Sequence, residues 1–170
     1  MSGITARTAK DRALGLLAVR WRSRAELRGR LVRAGFDRDE VESALGELQE
    51  AGLIDDRRFA AELTRARTRR LSGSRAIRSE LRQKGVGQDV AEEVLAQVED
   101  EEESRAFQLA ASRAERLGSV GPEAAYRRLV GLLTRRGYAP GLAREAARQA
   151  MSGLHPTTDV DQARASEDSP

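Results

Sequence analysis

The side chains best equipped for chemistry in this chain are arginines. Of its 30 basic residues only Lys10 and Lys84 are lysine. Three clusters stand out: Arg24, Arg28, Arg30 and Arg33; Arg75, Arg78, Arg82 and Lys84; and Arg127, Arg128, Arg135 and Arg136. Arg58, Arg65 and Arg69 form a further row, because offsets of about two and three helical turns bring them onto one face. A guanidinium presents a rigid fork of N–H donors that matches a carboxylate or a phosphate. The chemistry on offer is therefore the holding of oxyanions, on a protein or on a nucleic acid. The competing reading is that these cations neutralise acidic helices of the same chain, where exposed pairs contribute little.

Catalytic patterns are lacking. The chain has no cysteine, which removes disulfides, thiolate zinc sites and thiol nucleophiles. Its single histidine, His155, lies in a polar C-terminal stretch. Neither a Walker-type phosphate loop nor a dinucleotide glycine fingerprint occurs. Asp55 and Asp56 imitate a metal pair, but a helix N-terminus accounts for both. The run Glu99 to Glu103 reads as a solvated helix end. We expect no catalytic residue, no metal and no cofactor. No apolar run reaches the length of a membrane span, and the N-terminal residues lack a secretory signal, so a cytoplasmic protein is expected.

Charge alternates along the chain. Residues 20–38 carry a net +5, residues 39–56 a net −7, residues 57–84 a net +8, residues 85–103 a net −8 and residues 113–148 a net +5. The overall charge is only +3. Opposed basic and acidic faces follow, in place of a uniform basic coat.

A repeat positions these charges. Leu27-x3-Leu31-x3-Gly35-Phe36, Ile77-x3-Leu81-x3-Gly85-Val86 and Leu129-x3-Leu133-x3-Gly137-Tyr138 share one pattern, with glycines 50 and 52 residues apart. Two apolar residues one turn apart and a glycine past the end describe a buried helix stripe with its C-terminal cap. A period near 50 residues marks a stacked helical array, which grips partners along an extended surface. The expected units are residues 10–53, 54–103 and 104–151, flanked by disordered residues 1–9 and a disordered tail at 152–170. Each unit should hold three helices. The first helix is expected over 10–21, with Leu14 and Leu17 on its apolar face. Ser23 to Glu26 reads as a reciprocal capping box, and the third helix of the second unit is expected to run into the acids at 99–103. No strand pattern appears.

Three short helices also suit a helix-turn-helix DNA reader. In that reading the third helices would enter the groove, and two of them are acidic, so phosphates would repel them. A stand-alone DNA-binding protein that uses the arginine ridges, or a scaffold for another protein, stays open on this ground alone.

The blocks Arg22-Ser23-Arg24-Ala25-Glu26-Leu27 and Gly52-Leu53-Ile54-Asp55-Asp56 with Phe59-Ala60 narrow the choice. Together with Glu80-Leu81, Lys84-Gly85-Val86 and Arg135-Arg136-Gly137-Tyr138, they resemble the RecX family over about residues 11–151. The resemblance implies an all-α, elongated tandem array of three three-helix repeats. It implies a monomeric, non-enzymatic regulator that binds the RecA–single-stranded DNA filament and restrains its ATPase, growth and strand exchange in recombination and repair. Some members of the family also bind DNA directly. Tyr138 departs from the phenylalanine usual there, and the near-absence of lysine removes any lysine-specific contact.

Overall fold

The structure is a computed structural model that describes residues 8–117, 119 and 121–154; the expected disorder at 1–7 and 155–170 falls outside the described residues. It is all-helical among those residues. Helices α1 (Ala9–Leu17), α2 (Arg24–Arg33) and α3 (Arg38–Glu50) form the first repeat. Helices α4 (Asp56–Thr68), α5 (Ser74–Gln83) and α6 (Gln88–Ala96) form the second. Helices α7 (Glu102–Ala114), α8 (Pro122–Arg135) and α9 (Pro140–Leu154) form the third, with a short 3-10 turn after α7.

The repeated sequence pattern is the middle helix of each unit. Leu27 and Leu31, Ile77 and Leu81, and Leu129 and Leu133 are all fully buried. Fully burying one such side chain stabilises by about 1.5–3 kcal/mol. Each helix ends in the same hydrogen-bonded cap. The N–H groups of Phe36, Val86 and Tyr138 donate to the carbonyls of Leu31, Leu81 and Leu133 at 3.3, 3.1 and 3.1 Å. This is a Schellman motif, and it turns the residue after the glycine inward. Three separate cores result, one per repeat, and the extensive helix–helix packing lies within repeats.

Several expectations need correction. Helix α1 stops at Leu17, so Trp21 lies outside it. Its buried face is Ala9 and Ala13, while Leu14 is 39% and Val19 78% exposed. The reciprocal capping box forms at Thr8 and Asp11. At Ser23 only the forward half exists, because Glu26 turns instead to arginines. Ile54 closes the first core and not the second. Helix α6 ends at Ala96. Helix α7 begins at Glu102, inside the stretch expected to close the second repeat. Helix α9 continues through Leu154, past the expected start of the tail.

The repeats are joined by one device used twice. The N-cap residue of a middle helix donates to the C-cap carbonyl of the next repeat's middle helix. In the first joint Ser23 Oγ donates to the Lys84 carbonyl at 2.5 Å; in the second the Gly73 N–H donates to the Arg136 carbonyl at 2.8 Å. The first residue of that helix then donates its N–H to a carboxylate opening the next repeat. Arg24 N–H reaches Asp56 Oδ1 and Ser74 N–H reaches Glu102 Oε1, both at 2.8 Å. An apolar side chain two residues before each N-cap, Trp21 or Leu71, packs on the following core. The carboxylates satisfy N–H groups that a helix start leaves without partners.

Gly85 and Gly137 sit in these joints with φ of +71° and +92°. A Cβ at Gly85 would collide with the Ala25 methyl, and one at Gly137 with the backbone of Ala76. Gly35, at the same place in the first repeat, has φ +91° and no described residue close to it. Gly35→Ala is therefore expected to cost only the left-handed strain, about 1 kcal/mol. Gly137→Ala should cost about 1–3 kcal/mol more, because it also overpacks the joint. Urea denaturation measures the difference. Amide exchange should show protection lost at Gly73 and Arg75, whose N–H groups bond across that joint.

Tyr138 fills the third core at 1% exposure, and its hydroxyl has no hydrogen-bond partner among protein atoms. Burial pushes that phenol up to about 12. Tyr138→Phe is expected to raise stability by about 1 kcal/mol in the same denaturation assay, since it removes a buried polar group that lacks a partner.

Candidate partner-binding surface

The structure sorts the arginines into two populations. Arg24 and Arg28 both reach Glu42 on α3, at 2.8 and 2.7 Å. Arg78 grips Glu92 on α6 through two hydrogen bonds of 2.9 and 2.8 Å. In the first two repeats, then, the basic middle helix pairs with one glutamate of its own acidic third helix. Arg30 pairs with Glu26 one turn away, and Arg65 with Glu62. Lys84 lies 3.9 Å from Glu26 across the first joint. These cations are occupied, and exposed pairs among them add little to stability.

Arg33, Arg69, Arg75, Arg82, Arg127, Arg128 and Arg135 have no ion-pair partner among the described residues. Arg136 donates to the Arg70 carbonyl at 3.0 Å and so belongs to the second joint. Arg75 faces the cleft between the second and third repeats, which also holds Glu92, Glu99 and Glu102. Arg58 does not stand with Arg65 and Arg69 as a free row, because it lies over the Trp21 ring at 4.2 Å. That cation–π contact crosses the first joint. The densest free charge is on the third repeat, where Arg127, Arg128 and Arg135 line one groove on α8.

Sequence spacing did not indicate the interior hub at Glu26. Its side chain, 10% exposed, takes Arg20 and Arg22 at 2.5 Å each and Arg30 at 3.2 Å. Arg22 is itself buried and also donates to the Leu16 carbonyl. Burial pushes the Glu26 carboxyl up, but the hydrogen bonds from Arg20 and Arg22 outweigh it and hold the group below its ordinary range. Glu80 is lowered by hydrogen bonding from Arg67 on α4, at 2.5 and 2.6 Å. Glu92 is lowered by Arg78. Asp55 caps α4 through the N–H groups of Arg57 and Arg58. Asp56, which spacing also assigned to capping, instead ties the first joint. Arg105, another buried arginine, donates to the Val98 carbonyl at 2.9 Å and holds the turn before α7. No cluster of three or more His, Asp or Glu side chains is placed to hold a metal among the described residues. Nor is any helix there long and apolar enough to cross a membrane.

Comparison with known proteins is consistent with this architecture. The family model described as RecX, first three-helix domain, matches residues 9–48, and that for the second three-helix domain matches residues 55–95. The Regulatory protein RecX of Amycolatopsis mediterranei is 44% identical over 138 residues, covering 79% of this chain and 78% of that protein. That of Mycobacterium avium is 42% identical over 140 residues, covering 81% of each. The crystal structure of RecX from Lactobacillus salivarius superimposes with a TM-score of 0.73 at 19% identity, over 84% of this chain and 94% of the other. At that identity the likeness is one of fold.

The lowered carboxylates set the acid response. Their folded-state values lie below the unfolded ones, so their contribution is complete above the ordinary glutamate value of 4.5 and is lost as pH falls through the folded values. Melting temperature should thus hold from these groups between about pH 7 and 5 and drop below about pH 4.5. In Glu26→Gln it should start lower at neutral pH and decline less steeply in acid.

Proposed function

Because the chain belongs to the RecX family of regulatory proteins, we propose that it binds the filament formed by RecA on single-stranded DNA. There it restrains ATP hydrolysis, filament growth and strand exchange. The observation that carries this reading is the repeated joint. It fixes three basic middle helices on one chain through Ser23–Lys84 and Gly73–Arg136 contacts. A filament is itself a repeating surface, so an array of fixed pitch can touch more than one subunit. Each contact can be weak while the whole dissociates slowly, because the second contact forms at high effective concentration. A filament bridged in this way is less free to cycle or extend.

The role is that of a cytoplasmic, monomeric binding protein and not of a catalyst. The carboxylates that imitate catalytic groups have structural occupations: Asp55 caps, Asp56 and Glu102 tie joints, and Glu26 and Glu42 pair with arginines.

The test adds the purified chain to RecA on single-stranded DNA and follows ATP hydrolysis and strand exchange. Inhibition is expected at stoichiometric or lower ratios, and its absence there would sink the reading. Gly137→Ala, which loosens the second joint and removes no charge, should weaken inhibition at least about tenfold through lost effective concentration.

A further inference from the structure

In the second and third repeats the end of the middle helix takes the start of the preceding middle helix, through three parts. The carbonyl of the C-cap residue, Lys84 or Arg136, accepts from the incoming N-cap residue. A carboxylate on the opening residue of the first helix, Asp56 or Glu102, accepts the next N–H. The core takes an apolar side chain, Trp21 or Leu71, from two residues before the N-cap.

The first repeat has all three parts and no preceding repeat to use them. Ala34 is the C-cap of α2, and no donor among the described residues reaches its carbonyl. The opening residue of α1 is Ala9, but a carboxylate stands there all the same: Glu40 Oε1, from α3, accepts the Ala9 N–H at 2.8 Å. Gly35 has φ of +91°, beside +71° at Gly85 and +92° at Gly137, so the backbone already holds the docking shape. Phe36, which turns inward after that glycine, is only half-buried, whereas Val86 and Tyr138 at the same place are buried.

We propose that this end of the array docks the start of an α-helix from a partner protein. The partner's N-cap residue meets the Ala34 carbonyl, its next N–H meets the Glu40 carboxylate, and an apolar side chain two residues before the N-cap packs against Phe36. The two internal joints show what such a surface takes, since each is this contact already made. Charge agrees: a carbonyl and a carboxylate match the unpaired N–H groups and positive end of a helix start, and the carboxylate repels a phosphate. A second copy of this chain does not fit. Its one middle helix that gives to no other repeat, α8, opens with Pro122, which has no N–H. It also has Ser119 where Trp21 and Leu71 supply the apolar plug. The inference rests on the filament reading in taking the partner to be the filament's protein, and it names the element that one point of the grip holds.

The test uses Gly35→Asn in the full chain. Asparagine tolerates the left-handed backbone, and a Cβ at 35 meets no described atom within 4 Å. That Cβ nevertheless stands in the path of an incoming helix, as one at Gly85 would against Ala25. Both proteins are bound to RecA assembled on an immobilised oligothymidylate. The variant should melt within about 4 °C of wild type and bind at least about tenfold more weakly. In the free chain the Gly35 amide should exchange faster than those of Gly85 and Gly137, whose equivalent bonds to Arg82 and Thr134 lie at a joint, and filament binding should slow it. Equal filament binding by the two proteins overturns the inference and leaves the filament reading standing. Slow exchange at Gly35 in the free chain overturns it too, because another segment of the chain or a second copy then covers the turn; sedimentation over a range of concentration tells these apart. If wild type does not bind the filament, the filament reading falls, and a synthetic peptide of residues 67–83, which carries Leu71, Gly73 and the start of α5, becomes the probe. Titrated into the isotope-labelled full chain, it should shift the Phe36 amide of wild type and not that of Gly35→Asn; no shift in wild type overturns the docking site as well.

Discussion

Everything in this molecule beyond a single repeat depends on how closely the start of one middle helix approaches the end of the next. At the second joint a Cβ on Gly73 would lie only 2.5–2.6 Å from the Gly137 backbone. Two glycines face each other there because no other residue leaves room for the Gly73 N–H to reach the Arg136 carbonyl. The first joint reaches the same end with other atoms. Ser23 is long enough to span the gap through its hydroxyl, so only one glycine, Gly85, must yield to Ala25. With the main packing confined within repeats, these short polar contacts and one apolar plug each set the orientation of neighbours. Such arrays are stabilised as sums of unit and nearest-neighbour contributions, so a weakened joint acts locally.

That division explains the distribution of charge. Acidic third helices sit beside basic middle helices in the first two repeats, and one glutamate of each, Glu42 or Glu92, takes arginines of its neighbour. The third repeat has no such partner: α9 carries Glu145 as its only acid and Arg144 and Arg148 as additional bases. The arginines of α8 are thus left unpaired by composition. Hydrogen bonding from Arg78 holds the Glu92 carboxyl below its ordinary range, so that pair persists at neutral pH.

Much of the fold was legible because it is local. Leucine at helical spacing followed by glycine and an apolar residue specifies a helix, its cap and an inward turn within about ten residues of chain, and all three copies do so. The joints were not legible for the opposite reason. Ser23 meets Lys84 at a separation of 61 residues and Arg24 meets Asp56 at 32. Nothing in the Asp55-Asp56 pair says that the first acid caps its own helix while the second reaches into the previous repeat. Glu26 misled in the same way: its spacing from Ser23 fits a capping box, yet Arg20, Arg22 and Arg30 offer a stronger electrostatic well. Among the arginines, cluster membership showed where basic helices lie. Which members remain free depends on side-chain reach to Glu42 and Glu92 across a helix pair.

The joint has a direction. Each middle helix gives an N–H from its first residue to the repeat that follows, and receives at its glycine the repeat that precedes. Arg24 and Ser74 can give; α8 begins with Pro122, which has no N–H. At the other end Gly35 keeps the receptive backbone shape with nothing against it among the described residues. Considered as a one-dimensional polymer, the array has unlike ends: among the described residues its last middle helix starts without the N–H that the other two give, and its first presents an uncontacted receiving turn.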